Sequence, residues 1–230
     1  MDMEKINYQK MLEKTLAQLA GTRPRLLLHA CCAPCSSAVL ELLCAHFDLT
    51  LYYYNPNIAP VSEYDARARE LERLAAVLPQ AAGRVPVWIG PYDNQQFEAL
   101  ARGLEEEPEG GARCLACYRL RLMETARLAG EKGFDYYATT LSISPHKNAA
   151  ALCRIGLETQ RAASGAQFLC ADFKKGGGFT RSCALSAQYG LYRQDYCGCR
   201  FSRRARAAQS EPPQAAKPES GQEPALPQRR

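Results

Sequence analysis

No apolar run in the 230 residues approaches the ~18 that a membrane-spanning helix needs. The segment from Met1 to Ala20 carries charges of both signs and no unbroken apolar stretch, so no secretory signal is expected and a cytoplasmic location is. The Gly-x-x-x-x-Gly-Lys-Ser/Thr loop that cradles nucleotide phosphates is missing, and so is the Gly-x-Gly-x-x-Gly turn of dinucleotide sites. Histidine is scarce: His29, His46 and His146 stand at no zinc-enzyme spacing. There is no internal repeat, and little charge excess. Of the formal +5, +3 falls in residues 203–230, which leaves the body near +2 and gives no global signal for a polyanionic partner.

Cysteine is what the chain has in quantity. Eleven are many for an intracellular enzyme, yet the chain is too long and too apolar for a small disulfide-stapled scaffold. Their odd number and clustering favour metal or redox chemistry in a reducing compartment. The densest group lies in Arg25-Leu-Leu-Leu-His-Ala-Cys-Cys-Ala-Pro-Cys35. Leu26 to Leu28 read as a buried strand, and Ser36-Ser37 lead into a helical pattern. Thiols at a strand-to-helix junction meet free backbone N–H groups and a helix dipole, which favour thiolate.

Strands and helices alternate after that. Leu49–Asn55, Val85–Gly90, Phe134–Thr140 and Gln167–Cys170 read as further strands, with Pro86 marking an edge or a strand start. Helices are expected from Glu63 to about Leu78 with Ser62 as cap, after Tyr92-Asp93, from Cys114 to Gly130, from Ser144-Pro145 to about Glu158, and from Thr180 to Tyr189. This pattern predicts an α/β fold with a largely parallel, Rossmann-like sheet and helices on both faces. One domain is expected over residues 1–202, with an amphipathic docking helix within 1–22. Residues 203–230 hold no large apolar side chain except Leu226 and are expected to be disordered.

Three cysteine groups carry the chemistry: Cys31-Cys32 with Cys35, Cys114-x-x-Cys117, and Cys197-Gly-Cys199. Four thiolates from the first two can surround a zinc ion or a [4Fe–4S] cluster. Adjacent ligands crowd one tetrahedral zinc, whereas a cubane offers each sulfur its own iron. A disulfide between Cys197 and Cys199 would close a small strained ring, which suits a reversible two-electron store, although two further zinc ligands fit the same spacing. Cys44, Cys153, Cys170 and Cys183 stand alone in apolar patterns and read as core residues, as does His29. His146 is a candidate for a proton or phosphate contact. Lys174, Lys175 and Arg181 flank Gly176-Gly-Gly178 at a helix start, where backbone N–H groups and cations suit phosphate. Arg67, Arg69, Arg73, Arg119 and Arg121 read as solvated helix faces.

Six motifs occur in order between Leu26 and Ser202: His29-Ala-Cys-Cys-Ala-Pro-Cys-Ser36, Tyr54-Asn-Pro-Asn-Ile58, Cys114-x-x-Cys-Tyr118, Thr140-Leu-Ser-Ile-Ser-Pro-His-Lys-Asn148, Asp172-Phe-Lys-Lys-Gly-Gly177 and Tyr192-Arg-Gln-Asp-Tyr-Cys-Gly-Cys199. On these the sequence resembles the QueH type of epoxyqueuosine reductase. The resemblance implies reduction of epoxyqueuosine to queuosine at the wobble position of tRNAs with GUN anticodons (Tyr, His, Asn, Asp), the last step of queuosine biosynthesis. It implies an iron–sulfur enzyme without cobalamin and a fold similar to the nucleotide-hydrolase-like sheets of tRNA-thiolating enzymes. Carried onto this chain, Cys31, Cys32, Cys114 and Cys117 would hold the [4Fe–4S] cluster, and Cys197 and Cys199 would be the redox-active disulfide. Cys35 is left as a ligand of a second iron, with Cys197 or Cys199, or as a spectator. Asp172, Asp195, Tyr196 and His146 are candidate proton donors, and an external electron donor is required. The rival readings are an ATP-dependent tRNA-thiolating enzyme and a zinc-binding tRNA adaptor. The Ser-Gly-Gly-x-Asp-Ser pyrophosphatase loop expected of the first is absent.

Overall fold

Period-two burial divides the first strand between two cores. In β1 (Arg25–His29) Leu26 and Leu28 face one apolar layer and Leu27 faces the other, each with no solvent exposure. Such a strand needs cover on both sides, and helices supply it. The computed structural model describes residues 6–19 and 21–210. Its helices are α1 (Tyr8–Gln18), α2 (Ala33–Leu43), α3 (Val61–Val77), α4 (Asn94–Ala101), α5 (Ala112–Glu131), α6 (Ala149–Thr159), α7 (Gly178–Gln188) and α8 (Arg200–Ser210). The other strands are β2 (Asp48–Tyr53), β3 (Val87–Ile89), β4 (Tyr136–Thr139) and β5 (Gln167–Phe168). All four pairings are parallel, in the order β3-β2-β1-β4-β5. Residues of α2, α3 and α7 pack with Leu26 and Leu28, and those of α5 and α6 with Leu27. The expected parallel sheet with helices on both faces is therefore present. Among the described residues no helix is long and apolar enough to cross a membrane.

The strand order fixes where a ligand can sit. The chain winds outward from β1 through β2 to β3, then returns to β1's other side for β4 and β5. Loops leaving β1 and β4 therefore diverge and open a crevice at the carboxyl ends of these strands. The registered partners His29 and Thr139 mark that edge, and Cys31 N donates to Thr140 Oγ1 across it at 3.4 Å.

Several boundaries differ from the sequence expectation. Pro60, not Ser62, precedes the first residue of α3, and no side chain caps that helix. The helix expected from Ser144 starts at Ala149, where Asn148 caps it by accepting from Ala151 N. Ser144 Oγ accepts from His146 N instead, a local turn that competes with helix formation. Arg67 and Arg121 are not solvated: they are 2% and 1% exposed, whereas Arg69, Arg73 and Arg119 are exposed as expected. The expected disorder from residue 203 is also corrected as far as Ser210, because α8 occupies Arg200–Ser210. Phe201 anchors it on Phe97 of α4 with ring centroids 6.2 Å apart, and Arg200 and Arg206 bond Glu98 and Asp195. Residues 211–230 of the expected tail lie outside the described residues. In α1 Leu12 is buried and Leu16 and Leu19 pack on the core, as a docking helix requires, while Ile6 and Met11 remain exposed. Cys44, Cys153 and Cys170 are buried and Cys183 is half-buried.

Close packing of α6 on β5 depends on one missing side chain. A Cβ on Gly156 would lie 2.2 Å from the Phe168 ring. Gly156→Val is expected to lower stability by about 1–3 kcal/mol through overpacking, read as a lower midpoint in urea unfolding. An unchanged midpoint would show that the β5 edge yields freely.

Candidate metal and redox site

The first thiols are placed by the turn from β1 into α2. Cys32 is the N-cap residue, in extended conformation and without a side-chain hydrogen bond to the helix, and Pro34 lies in the first turn. Ser36 Oγ donates to Cys32 O at 2.8 Å and Ser37 Oγ to Pro34 O at 3.0 Å, which holds the turn from inside. The Sγ atoms of Cys31, Cys32 and Cys35 then lie within 4.8 Å of one another. Cys31 Sγ is 3.8 Å from Cys32 Sγ and 3.7 Å from Thr140 Oγ1. Hydrogen bonds from Cys32 and Cys35, with the charges of Arg121 and Lys147, hold the Cys31 thiol well below its ordinary value despite burial. Its neighbour Cys32 is pushed up to about 12, chiefly because it donates to Cys31. One thiolate shared by three sulfurs is the state this arrangement favours.

The other two groups approach from α5 and from the loop before α8. Cys114 and Cys117 lie in the first two turns of α5, outside the 4.8 Å set. One turn beyond Cys117, the buried Arg121 reaches back so that Nη1 is 4.0 Å from Cys117 Sγ. Its Nη2 donates to Asn55 Oδ1 at 2.5 Å and its Nε to His29 Nε2 at 3.3 Å. The same Nε2 lies 3.1 Å from Tyr54 O, and Nδ1 lies 2.8 Å from Thr139 Oγ1. Burial and the Arg121 charge bring His29 down to about 3, so it stays neutral, the buried core histidine that was expected. Burial raises Cys117 to about 11.

All eleven cysteines are free thiols, Cys197 half-buried and Cys199 buried. The loop carrying them is pinned by the β2–α3 connection: Ala59 N donates to Gly198 O at 3.0 Å, Arg67 Nη1 to Cys197 O at 3.1 Å, and Asn57 Nδ2 lies 4.0 Å from Cys197 Sγ. Gly198 has φ +111°, and a Cβ there would lie 2.9 Å from Arg67 Nη1 and 3.0 Å from Ile58 Cγ1. Only glycine suits both constraints. A hydrogen bond from Cys199 holds the Cys197 thiol well below its ordinary value, helped by Lys147, Arg121 and Arg67, and Cys199 is raised in turn.

Two cavities meet at Cys197. One of about 630 Å³ is lined by Cys31, Cys32, Cys35 and Cys197, with Arg67, Arg121, Lys147 and His146 among its other walls. The second, of about 260 Å³, is lined by Cys114, Cys197 and Cys199, by Glu105, Glu106, Glu107 and Glu109, and by residues of α8. The structure thus brings the first triad and Cys197 to one cavity and Cys114 and Cys199 to its neighbour. Of the expected phosphate contacts, His146 lines the larger cavity. Lys174 pairs with Asp172 at 2.5 Å, Arg181 with Glu41 at 2.7 Å, and Lys175 is exposed; none of the three lines it. Among the candidate proton donors, Tyr196 and Asp195 line it, but Arg206 holds the Asp195 carboxyl below its ordinary value, and Asp172 is spent on Lys174.

Sequence reasoning missed Lys147 and misassigned Arg67 and Arg121. A signal existed for Arg121, which stands four residues after Cys117 and so shares its helix face. Among the described residues no carboxylate forms an ion pair with Arg121 or Lys147. Both are buried among thiols. A buried cation left unpaired costs several kcal/mol, so the site calls for negative charge on sulfur.

A family profile described as "Epoxyqueuosine reductase QueH" matches residues 26–205. The chain belongs to the QueH epoxyqueuosine reductase family. QueH proteins are oxidoreductases, and so is this chain. It is 41% identical to the Epoxyqueuosine reductase QueH of Staphylococcus epidermidis, covering 88% of this chain and 87% of that protein. The QueH of Streptococcus pyogenes is 39% identical over 86% of this chain and 79% of its own, and that of Thermotoga maritima 34% over 76% and 88%. The QueH profile match begins inside β1 and ends inside α8.

In reduced, metal-free protein, iodoacetamide near pH ~7 should label Cys31 and Cys197 before Cys32 and Cys199, since only the lowered thiols remain thiolates there. Peptide mass spectrometry reads the order. A reversed order would contradict the hydrogen-bond directions described above.

Proposed function

We propose that this chain reduces epoxyqueuosine to queuosine in tRNA, the last step of queuosine biosynthesis, with a [4Fe–4S] cluster and without cobalamin. The observation that carries the reading is the convergence of thiols from three chain segments on one cavity of about 630 Å³ and its neighbour, in a chain of this family. A cavity of that volume accommodates a modified base turned out of an anticodon loop.

The donor set fits the cluster. Thiols are the ligands iron–sulfur centres take, and a cubane with four thiolates is net negative, which compensates the buried Arg121 and Lys147. Cys31 and Cys32 with Cys114 and Cys117 would hold it, and when bound it supplies single electrons. Removing the epoxide oxygen takes two electrons and two protons and releases water. Cys197 and Cys199 hold both: oxidation of the dithiol to a disulfide yields two electrons and two protons, and an external electron donor resets it. Ala59 and Arg67 hold the backbone of the loop that carries both sulfurs. Arg121 orients His29 and Asn55 beside the thiols. Cys35 takes a second iron with Cys197 or Cys199, or none. The tRNAs are those with GUN anticodons, His146, Lys174, Lys175 and Arg181 contact the tRNA, and the protein works in the cytoplasm.

Anaerobically purified protein is expected to be brown and to remove one oxygen from epoxyqueuosine in tRNA, read by mass spectrometry of the released nucleoside. Cys114→Ala and Cys117→Ala should lose iron and colour. Cys197→Ala and Cys199→Ala should keep both and lose turnover. Colourless zinc protein, or a nucleoside that keeps its oxygen, would end the proposal; unchanged activity in Cys35→Ala with about four irons retained would remove the second iron.

A further inference from the structure

Two cations in the larger cavity are not fully used by the protein around them. Lys147 lies in the turn between β4 and α6, where its backbone N–H donates to Ser144 O at 3.2 Å. The residue is only 9% exposed and lines the cavity with Cys31, Cys35 and Cys197, yet it pairs with no carboxylate among the described residues. Arg67 lines the same cavity and is 2% exposed. Its Nε donates to Glu63 and its Nη1 to Cys197 O, but its buried Nη2 has no hydrogen-bond partner. The guanidinium lies 5.1 Å from the Tyr196 ring centroid, a second cavity residue, and a buried N–H donor without a partner calls for an acceptor.

We infer that Lys147 and Arg67 form an oxygen-binding subsite in the cavity that holds the epoxide oxygen of the substrate and carries its growing negative charge as the two C–O bonds break. The inference rests on the epoxide reduction proposed above. Position favours the reacting oxygen over a backbone phosphate. Lys147 is buried and shares the inner wall of the cavity with Cys31, Cys32, Cys35 and Cys197, where a reducible oxygen has to sit. A phosphodiester stays outside with its ribose, near the exposed Arg193 that also lines the cavity. In the reaction both C–O electron pairs leave with the oxygen. Two electrons from the dithiol form the C=C π bond, and its two protons convert the oxygen to water as the disulfide forms. Lys147 and Arg67 stay protonated throughout and donate only hydrogen bonds, which strengthen as charge develops.

The test compares wild type, Lys147→Met and Lys147→Arg as anaerobic holoenzymes on tRNA carrying epoxyqueuosine, and measures binding of the same tRNA carrying queuosine. Lys147→Met should lower kcat about 100-fold, the loss typical of one oxyanion donor, with iron content and visible spectrum unchanged. Wild type should bind the epoxide tRNA more tightly than the product tRNA, and Lys147→Met should lose that preference. Lys147→Arg should recover part of kcat. An unchanged kcat in Lys147→Met overturns the inference, as does an equal loss of affinity for both tRNAs, which would make Lys147 a phosphate contact. Loss of iron in both variants also overturns it, since the lysine would then support the metal centre. A wild type that leaves the epoxide intact ends the proposed function itself, a result distinct from all three.

Discussion

Buried positive charge without a carboxylate partner is the constraint on which the rest of this site depends. Arg121 is 1% exposed and its hydrogen bonds go to Asn55, His29 and Cys117, all neutral or sulfur groups. A solitary guanidinium in such a place is unfavourable by several kcal/mol. Thiolates supply compensating charge: hydrogen bonds from neighbouring thiols hold Cys31 and Cys197 low, helped by the buried cations, and raise the donors Cys32 and Cys199 in turn. Each cluster of thiols thereby keeps one nucleophilic sulfur beside protonated neighbours, the condition both for binding a metal and for storing electrons in a dithiol.

The sheet decides where this charge is concentrated. Because the winding direction reverses at β1, the ends of β1 and β4 open a crevice that two diverging loops cannot fill. α2 enters the crevice with its N-terminal N–H groups, α5 with Cys114 and Cys117, and the β2–α3 connection with Asn55 and Asn57. The Cys197–Cys199 loop then closes over that edge, held by Ala59 and Arg67. α8 completes the enclosure, and its residues line both cavities. The same loop therefore faces a basic chamber of base-sized volume on one side and an acidic, smaller one on the other.

Legibility in the sequence followed the range of the interactions. Local patterns were readable: apolar runs bounded by Pro and Gly located the strands, and Pro86 marked an edge or a strand start, both of which describe β3. The Cys197-Gly-Cys199 spacing was readable too, and its Gly198 adopts a positive φ. Competition between local options was not. Ser144-Pro145 carries a helix start signal, yet the Ser144 hydroxyl closes a turn and Asn148 takes the cap. α8 was hidden because its stability comes from Phe201 on Phe97 and from ion pairs to distant residues rather than from an apolar stripe of its own.

By itself, then, the sequence determined the α/β class, the three groups of thiols and the family, because each is written in residue type and spacing. It could not determine which cations are buried. Arg121 shares the helix face of Cys117 and Thr125 whereas Arg119 does not, but only the packing of α3 and α5 against the sheet removed Arg67 and Arg121 from water while leaving Arg119 in it. Lys147 was likewise one basic residue in a loop until the fold set it beside Cys31, Cys35 and Cys197. Burial is a property of the whole chain, and the value of a charge is set by what surrounds it. Tertiary structure alone decided which thiols would be charged.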